Sequence, residues 1–131
     1  MLVFRNEPIS VKELNEFLKK QNWGVEPIEK LQKALDLSWG WICARNEKNE
    51  LIGFVQILSD GIKHAYILRL LVHPEYRGLG YGRMLMNELI AWLDEEKLNP
   101  ILITKPNEES FYTSFGLTRQ NGGFISLFHW K

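Results

Sequence analysis

Leu70-Leu71-Val72-His73-Pro74-Glu75-Tyr76-Arg77-Gly78-Leu79-Gly80-Tyr81-Gly82-Arg83 joins a strand to a helix through a loop crowded with glycine. The apolar run stops at His73-Pro74, because proline has no N–H to give to a ladder. After the glycines comes an apolar stripe at helical spacing, Leu85, Leu89 and Trp92, widened by Met86, Ile90 and Leu93. A strand, a glycine-rich turn and a helix start make an anion site, since backbone N–H groups converge where the helix dipole is positive. Gly78, Gly80 and Gly82 let the backbone approach a phosphate and take positive φ. Glycine costs about 1 kcal/mol relative to alanine in a helix. Three alternating glycines at such a junction therefore point to a ligand rather than to a plain connection.

Upstream, Leu2-Val3-Phe4 reads as a first strand. Ser10 can cap a helix, Glu13 can cap back, and Ile9 can pack on Leu14 as a staple; Phe17 and Leu18 continue that face. A second helix is expected to open with Pro27 at its first position, with Ile28, Leu31 and Leu35 as its stripe. Residues 39–45, 51–59 and 64–72 read as an antiparallel meander, turned by residues 46–50 and by Asp60-Gly61. Downstream, Ile101-Leu102-Ile103-Thr104 reads as a buried parallel strand reached through the crossover helix. Asn107-Glu108-Glu109 starts a short helix, with Asn107 as a candidate cap, and Gly116 ends it. Residues 117–119 and 124–130 are expected to close the sheet as a hairpin around Asn121-Gly122-Gly123. The expected order is β-α-α-β-β-β-α-β-α-β-β, an α/β (α+β) mixed sheet with helices on its faces, mostly antiparallel with one parallel pair.

The ligand can be narrowed by what the loop lacks. A P-loop ends in Gly-Lys-Ser/Thr, whereas Gly82 is followed by Arg83-Met84. A dinucleotide loop is G-x-G-x-x-G with an acidic residue after the next strand. This loop is G-x-G-x-G, and that strand ends in Thr104-Lys105. Arg77-Gly78-Leu79-Gly80-Tyr81-Gly82 instead matches Gln/Arg-x-x-Gly-x-Gly/Ala, the acetyl-CoA loop of the GCN5-related N-acetyltransferase (GNAT) superfamily. Residues 70–77 resemble that family's fourth strand and its exit. Phe111-Tyr112-Thr113-Ser114-Phe115-Gly116-Leu117 resembles its Phe-Tyr-x-x-x-Gly-Phe segment. The element order is similar as well, so the resemblance spans essentially the whole chain. Within the family, Gly53-Phe54 through Ser59-Asp60-Gly61, and residues 123–130, resemble the serotonin/arylalkylamine acetyltransferase-like branch.

The resemblance implies an acetyl-CoA-dependent N-acetyltransferase in a single domain, residues 1–131, with acetyl-CoA as co-substrate and no metal. Leu70, Leu71 and Val72 would present backbone groups to the pantetheine arm where the fourth and fifth strands splay. The segment Arg77, Gly78, Leu79, Gly80, Tyr81, Gly82 and Arg83 would hold the pyrophosphate. Asn107 and Tyr112 would flank the thioester. In direct transfer an amine attacks the thioester, a backbone N–H near Val72 stabilises the oxyanion, and Tyr112 protonates the departing thiolate. His64 is the one candidate base near neutral pH on its face of the strand, where alternation groups it with Tyr66 and Leu68 unless a bulge intervenes. Arg69 departs from the acidic residue common in the serotonin-like branch; if it faces the acceptor pocket, it would repel a cationic amine. The acceptor is expected to be a small-molecule or protein amine. A non-catalytic acyl-CoA-binding regulator or sensor is the alternative reading; Tyr112 favours the enzyme.

The composition sets outer bounds. Sixteen basic residues balance sixteen acidic ones, which gives no surface charge suited to nucleic acid or membrane. Cys43 is the single cysteine, which excludes an intramolecular disulfide and a thiolate zinc site. It sits in an apolar run and reads as a small core residue. No signal or membrane-spanning run is visible, so the expected setting is cytoplasmic. His73 and His129 read as solvent or edge positions. Trp23, Trp39, Trp41 and Trp130 read either as acceptor-pocket walls or as packing anchors. A domain of this size also leaves a sheet edge through which a homodimer can form.

Overall fold

Ser10 starts the first helix as its position suggests, accepting the N–H of Glu13 on its Oγ at 3.1 Å. The computed structural model describes residues 2–21, 26–119 and 126–129. Strand β1 (Leu2–Arg5) leads into helix α1 (Val11–Lys19). Helix α2 (Ile28–Asp36) follows, with Pro27 as its cap rather than its first residue, because ψ at Pro27 is an extended 141°. Strands β2 (Gly40–Arg45), β3 (Leu51–Leu58) and β4 (His64–Val72) form the antiparallel meander. Helix α3 (Tyr81–Glu96) crosses over to β5 (Asn99–Ile101), and helix α4 (Glu109–Thr113) follows a 3₁₀ turn at Pro106–Glu108. The sheet order is β1-β2-β3-β4-β5, and only β4–β5 is parallel. This is the mixed α/β architecture expected.

Three details differ from expectation. The parallel strand begins two residues earlier and ends three earlier, at Asn99–Ile101, because the chain leaves the ladder after Ile101, and it is not buried, with Ile101 47 % exposed. Leu117, Thr118 and Arg119 are not in a strand, and neither are residues 126–129. The rest of the expected closing hairpin, including Trp130, lies outside the described residues, as does Trp23. Among the described residues, no helix is long and apolar enough to cross a membrane.

The sheet separates two apolar clusters. On one face Ile42, Ala44, Val55, Ile57, Ala65 and Ile67 meet Leu85, Met86, Leu89 and Leu93 of α3. A Cβ on Gly40 would stand 2.6 Å from Trp92 Cη2, so glycine there lets α3 press onto the sheet. Arg5 ties β1 to that helix, donating to Glu88 at 2.5 Å and to Glu95 at 2.7 Å. On the other face Cys43, Leu51, Phe54 and Leu71 meet Leu14, Phe17 and Leu18 of α1 and Leu31 and Leu35 of α2. Cys43 is fully buried and its thiol is pushed up to about 12, chiefly by that burial, so it is a packing residue. Trp39 packs against Trp92 with the rings tilted by 41° and their centroids 4.8 Å apart, and Trp41 Nε1 donates to the Glu7 carbonyl at 2.8 Å. Both indoles are packing anchors.

Glu13 does not complete a reciprocal cap. Its carboxylate takes two bonds of 2.9 Å from Arg45, which also donates to Glu7 and, at 3.0 Å, to the Asn49 carbonyl. Arg45 is 6 % exposed, so this cluster fastens α1 to the end of β2 with an arginine that has left water. The Arg45 hydrogen bond outweighs desolvation and holds the Glu13 carboxyl below the usual glutamate value. Arg45→Met should therefore destabilise the protein by about 3 kcal/mol, the low end for breaking a buried pair, since Glu13 can rehydrate. A depressed carboxyl contributes stability above its unfolded value and loses it as pH falls through its folded value. In urea unfolding, the wild-type advantage over the variant should narrow across that acidic window; a constant gap would assign the loss to packing.

Candidate active site

Strand β4 has a neighbour along only part of its outer edge. His64, Ala65 and Tyr66 pair with Asn99, Pro100 and Ile101, and beyond them the two strands part. On its inner edge β4 carries a bulge: Gln56 faces Leu68 and Phe54 faces Leu71, so Arg69 and Leu70 lie opposite Val55 alone. Arg69 takes φ of 59° to make the extra residue fit. Before the bulge Ala65 and Ile67 face α3; after it Leu70 and Val72 do, while Leu71 packs against the α1/α2 cluster.

The bulge and the strand exit together aim the backbone. His73 donates its N–H to Ile52 O at 2.7 Å, which makes 73/52 a hydrogen-bonded position. By alternation the N–H and C=O of Val72, and those of Leu70 two residues earlier, turn away from β3 into the splay. Leu71 does not share this orientation; its own polar groups turn to Phe54. Arg77 Nε holds the Val72 carbonyl at 3.2 Å, which leaves the Val72 N–H directed into the gap.

The loop continues this lining. His73 Nδ1 accepts the Glu75 N–H at 3.1 Å and starts a 3₁₀ turn, Pro74–Tyr76, so this histidine shapes the strand exit. Gly78 and Gly80 have φ of 77° and 92°, and a Cβ on either would meet nothing within 4 Å. Their side of the loop is open. Gly80 caps α3 without a side-chain bond, so the N–H groups of Tyr81, Gly82 and Arg83 have no partner within the helix. Gly82 sits where three elements meet: its Cβ position is 3.7 Å from Val72 Cγ2 and 3.5 Å from Phe111 Cζ. Arg83 lies 4.9 Å over Phe115 and reaches Ser114 at 3.4 Å, tying the start of α3 to α4. Leu79 is 63 % exposed at the loop tip.

The arginines sort by their partners. Arg5, Arg45 and Arg119 are held by carboxylates. Among the described residues Arg69, Arg77 and Arg83 form no ion pair, and all three border the splay or its loop. Open glycines, unpartnered helix N–H groups and two uncompensated guanidiniums suit a pyrophosphate.

Tyr112, on α4, is half-buried with its ring 5.0 Å from Phe111. It borders a cavity of about 500 Å³ with Leu102, Thr104 and Leu117. Its hydroxyl makes no hydrogen bond among the described residues. Burial first, and Glu108 second, raise its phenol above the ordinary value of 10.0, so it is protonated at neutral pH. Asn107 is exposed in the 3₁₀ turn, and its side chain caps neither that turn nor α4. His64 is exposed at the start of β4, five residues before Arg69 and roughly 16 Å away along the strand. The sequence reading missed the part Gln56 plays. It is a buried polar residue in an otherwise apolar strand, and that was the available signal.

A splayed mixed sheet running into a glycine-rich loop and a crossover helix is the α/β class of fold seen here. The sequence profile of the acetyltransferase (GNAT) family matches residues 9–117, and the chain belongs to that family, as an acetyltransferase. It is 30 % identical to an uncharacterised N-acetyltransferase, ycf52, of Gracilaria tenuistipitata var. liui, over 94 % of this chain and 70 % of that one. A chloroplastic serotonin N-acetyltransferase 2 of Oryza sativa subsp. japonica is 29 % identical over 82 % of this chain and 56 % of its own length. Among solved structures, a GNAT-family protein of Streptococcus pneumoniae TIGR4 superposes with a TM-score of 0.82 at 21 % identity, covering 99 % of this chain and 96 % of that one.

The loop geometry yields a contrast between two of its glycines. Gly80→Ala meets no atom but must hold positive φ, so it should cost about 1 kcal/mol. Gly82→Ala has ordinary contacts and helical φ, so it should be neutral or stabilise by up to about 1 kcal/mol. Thermal melts of the two variants compare them directly, and the reverse order would contradict this account of the loop.

Proposed function

We propose that this acetyltransferase uses acetyl-CoA as co-substrate and moves the acetyl group directly to an acceptor amine, with Tyr112 as general acid. The observation that carries the reading is the half-paired β4, whose free backbone edge runs straight into the open glycine loop. Pantetheine amides laid along Leu70 and Val72 would take up the ladder positions that β5 gives up. The pyrophosphate would then fall at Gly78–Arg83, against the free N–H groups, with Arg77 and Arg83 to offset its charge.

The transfer follows from these positions. The amine lone pair attacks the thioester carbonyl, a C–N bond forms, and the oxygen becomes an anion within reach of a splay-facing N–H such as that of Val72. Collapse breaks the C–S bond. The departing thiolate takes the Tyr112 proton, the nitrogen releases its own to water, and solvent reprotonates the phenol. The expelled thiol has an ordinary pKa of about 8.5 and a phenol about 10. Proton transfer is therefore coupled to bond breaking, where the sulfur is briefly more basic. His64 is too far along the strand from the bulge to take the amine proton directly.

The deciding experiment is thiol release from acetyl-CoA across a panel of amines, with mass detection of acetylated products. Acetyl-CoA binding without turnover on any amine would favour a sensor. Tyr112→Phe should lower kcat on the order of 10²-fold with acetyl-CoA affinity retained. The wild-type rate should fall on the alkaline side only above the ordinary phenol value, because the acid works protonated and its pKa is raised. Full activity in the variant would remove Tyr112 from the mechanism.

A further inference from the structure

Arg69 is an unusual residue in an unusual place. Among the described residues four non-glycines have positive φ: Asn6, Asn49, Arg69 and Lys97. Asparagine tolerates that region, and Lys97 ends α3 in a left-handed cap. Arg69 alone takes it inside a strand, where the conformation costs about 1–2 kcal/mol. Its side chain is fixed by a buried neutral chain of bonds on the α1/α2 face. Arg69 donates to Gln56 Oε1 at 3.3 Å, and Gln56 Nε2 donates to Ser38 Oγ at 2.7 Å. Ser38 Oγ donates to the Ala34 carbonyl at 2.7 Å. Gln56 is 2 % exposed, so its amide is oriented from below and offers only its oxygen to the guanidinium.

No member of that chain is charged. The guanidinium is half-buried and held in position, with no carboxylate beside it among the described residues and most of its N–H groups unused. Arg77 and Arg83 have the loop on their side. Arg69 stands apart from it, at the bulge, on the sheet face opposite α3. In the acetyl-transfer reading proposed above, an amine entering from that face would pass it.

We propose that Arg69 selects the acceptor, binding an anionic group, carboxylate or phosphate, carried by the amine that is acetylated. This rests on the N-acetyltransferase reading above and leaves its bond-making steps unchanged. A planar guanidinium with adjacent free N–H groups suits a bidentate carboxylate or phosphate. The same charge disfavours a cationic acceptor with no anion of its own, such as an arylalkylamine.

The test uses matched acceptors: phenylalanine against phenylalaninamide, and glucosamine 6-phosphate against glucosamine. Wild-type kcat/KM should favour the anionic member of at least one pair on the order of 10–100-fold, the value of one charge-assisted bond. The responding pair tells carboxylate from phosphate. In Arg69→Gln that ratio should collapse towards one through KM, in Arg69→Lys it should partly survive, and in Arg69→Glu it should invert. Because the readout is a ratio within one protein, a partly unfolded variant does not mimic the result. Equal wild-type use of both members of each pair would overturn the role of Arg69 and leave the transferase intact. Loss of acetyl-CoA affinity in Arg69→Gln, by calorimetry, would also overturn it, making Arg69 a cofactor contact. Absence of both acetyl-CoA binding and turnover would instead overturn the transferase reading itself.

Discussion

A strand whose neighbour leaves it after three residues must find partners for the rest of that edge, because an unpaired buried N–H or C=O costs as much as a lost hydrogen bond. β4 is in that position. Its ladder with β5 covers His64–Tyr66, and among the described residues no strand pairs with that edge from there to Val72, whose carbonyl is held by Arg77. Every other feature of the site is arranged around this gap. The bulge at Arg69 and Leu70 resets which side chains face α3, and the pairing of His73 with Ile52 turns the Val72 polar groups outward. The glycine loop then carries the line of free N–H groups from the strand edge into the start of α3.

The two faces of the sheet divide the labour. The α3 face is apolar from Ala44 to Leu93 and is held at its margin by Arg5 with Glu88 and Glu95. The same helix supplies the amides of Tyr81, Gly82 and Arg83 at the end of the glycine turn. The opposite face is closed by α1 and α2, and fastened by Arg45 with Glu7 and Glu13. It also carries the Gln56 network that reaches the bulge. The two side chains proposed for proton transfer and acceptor choice thus rest on different supports. Tyr112 is braced by Phe111 and the α3 cluster, and Arg69 by α2 through Ser38 and Gln56.

Charge distribution follows the same division. The charge of the chain is balanced, yet among the described residues the arginines outside any ion pair border one gap. A pyrophosphate and an anionic acceptor would place negative charge at both ends of that gap, with the neutral thioester between them. A buried cation without a partner is costly, and each of these three keeps some exposure.

Much of this was legible in the residues. The meander, the crossover helix, the Ser10 cap and the glycine turn each rest on local rules: side-chain period, capping chemistry, and the restriction proline and glycine place on φ. Local signals lose their authority where pairing between distant segments decides. Ile101-Leu102-Ile103-Thr104 is an apolar run fit for a strand, but the divergence from β4 ends the pairing at Ile101. Alternation along β4 is readable up to Leu68, whereas the bulge depends on how β3 lies against it, so the face taken by Arg69 could not be read from spacing. Glu13 has the position of a capping-box residue, and only the approach of Arg45, thirty-two positions away, drew its carboxylate elsewhere. The sequence by itself thus determined most of the elements as far as α4 and the glycine turn at the start of α3, because both depend on neighbours a few residues apart. The splay, the aim of the Leu70 and Val72 backbone and the isolation of the Arg69 charge were decided by tertiary structure, because each depends on strands and helices that meet only when the chain has folded.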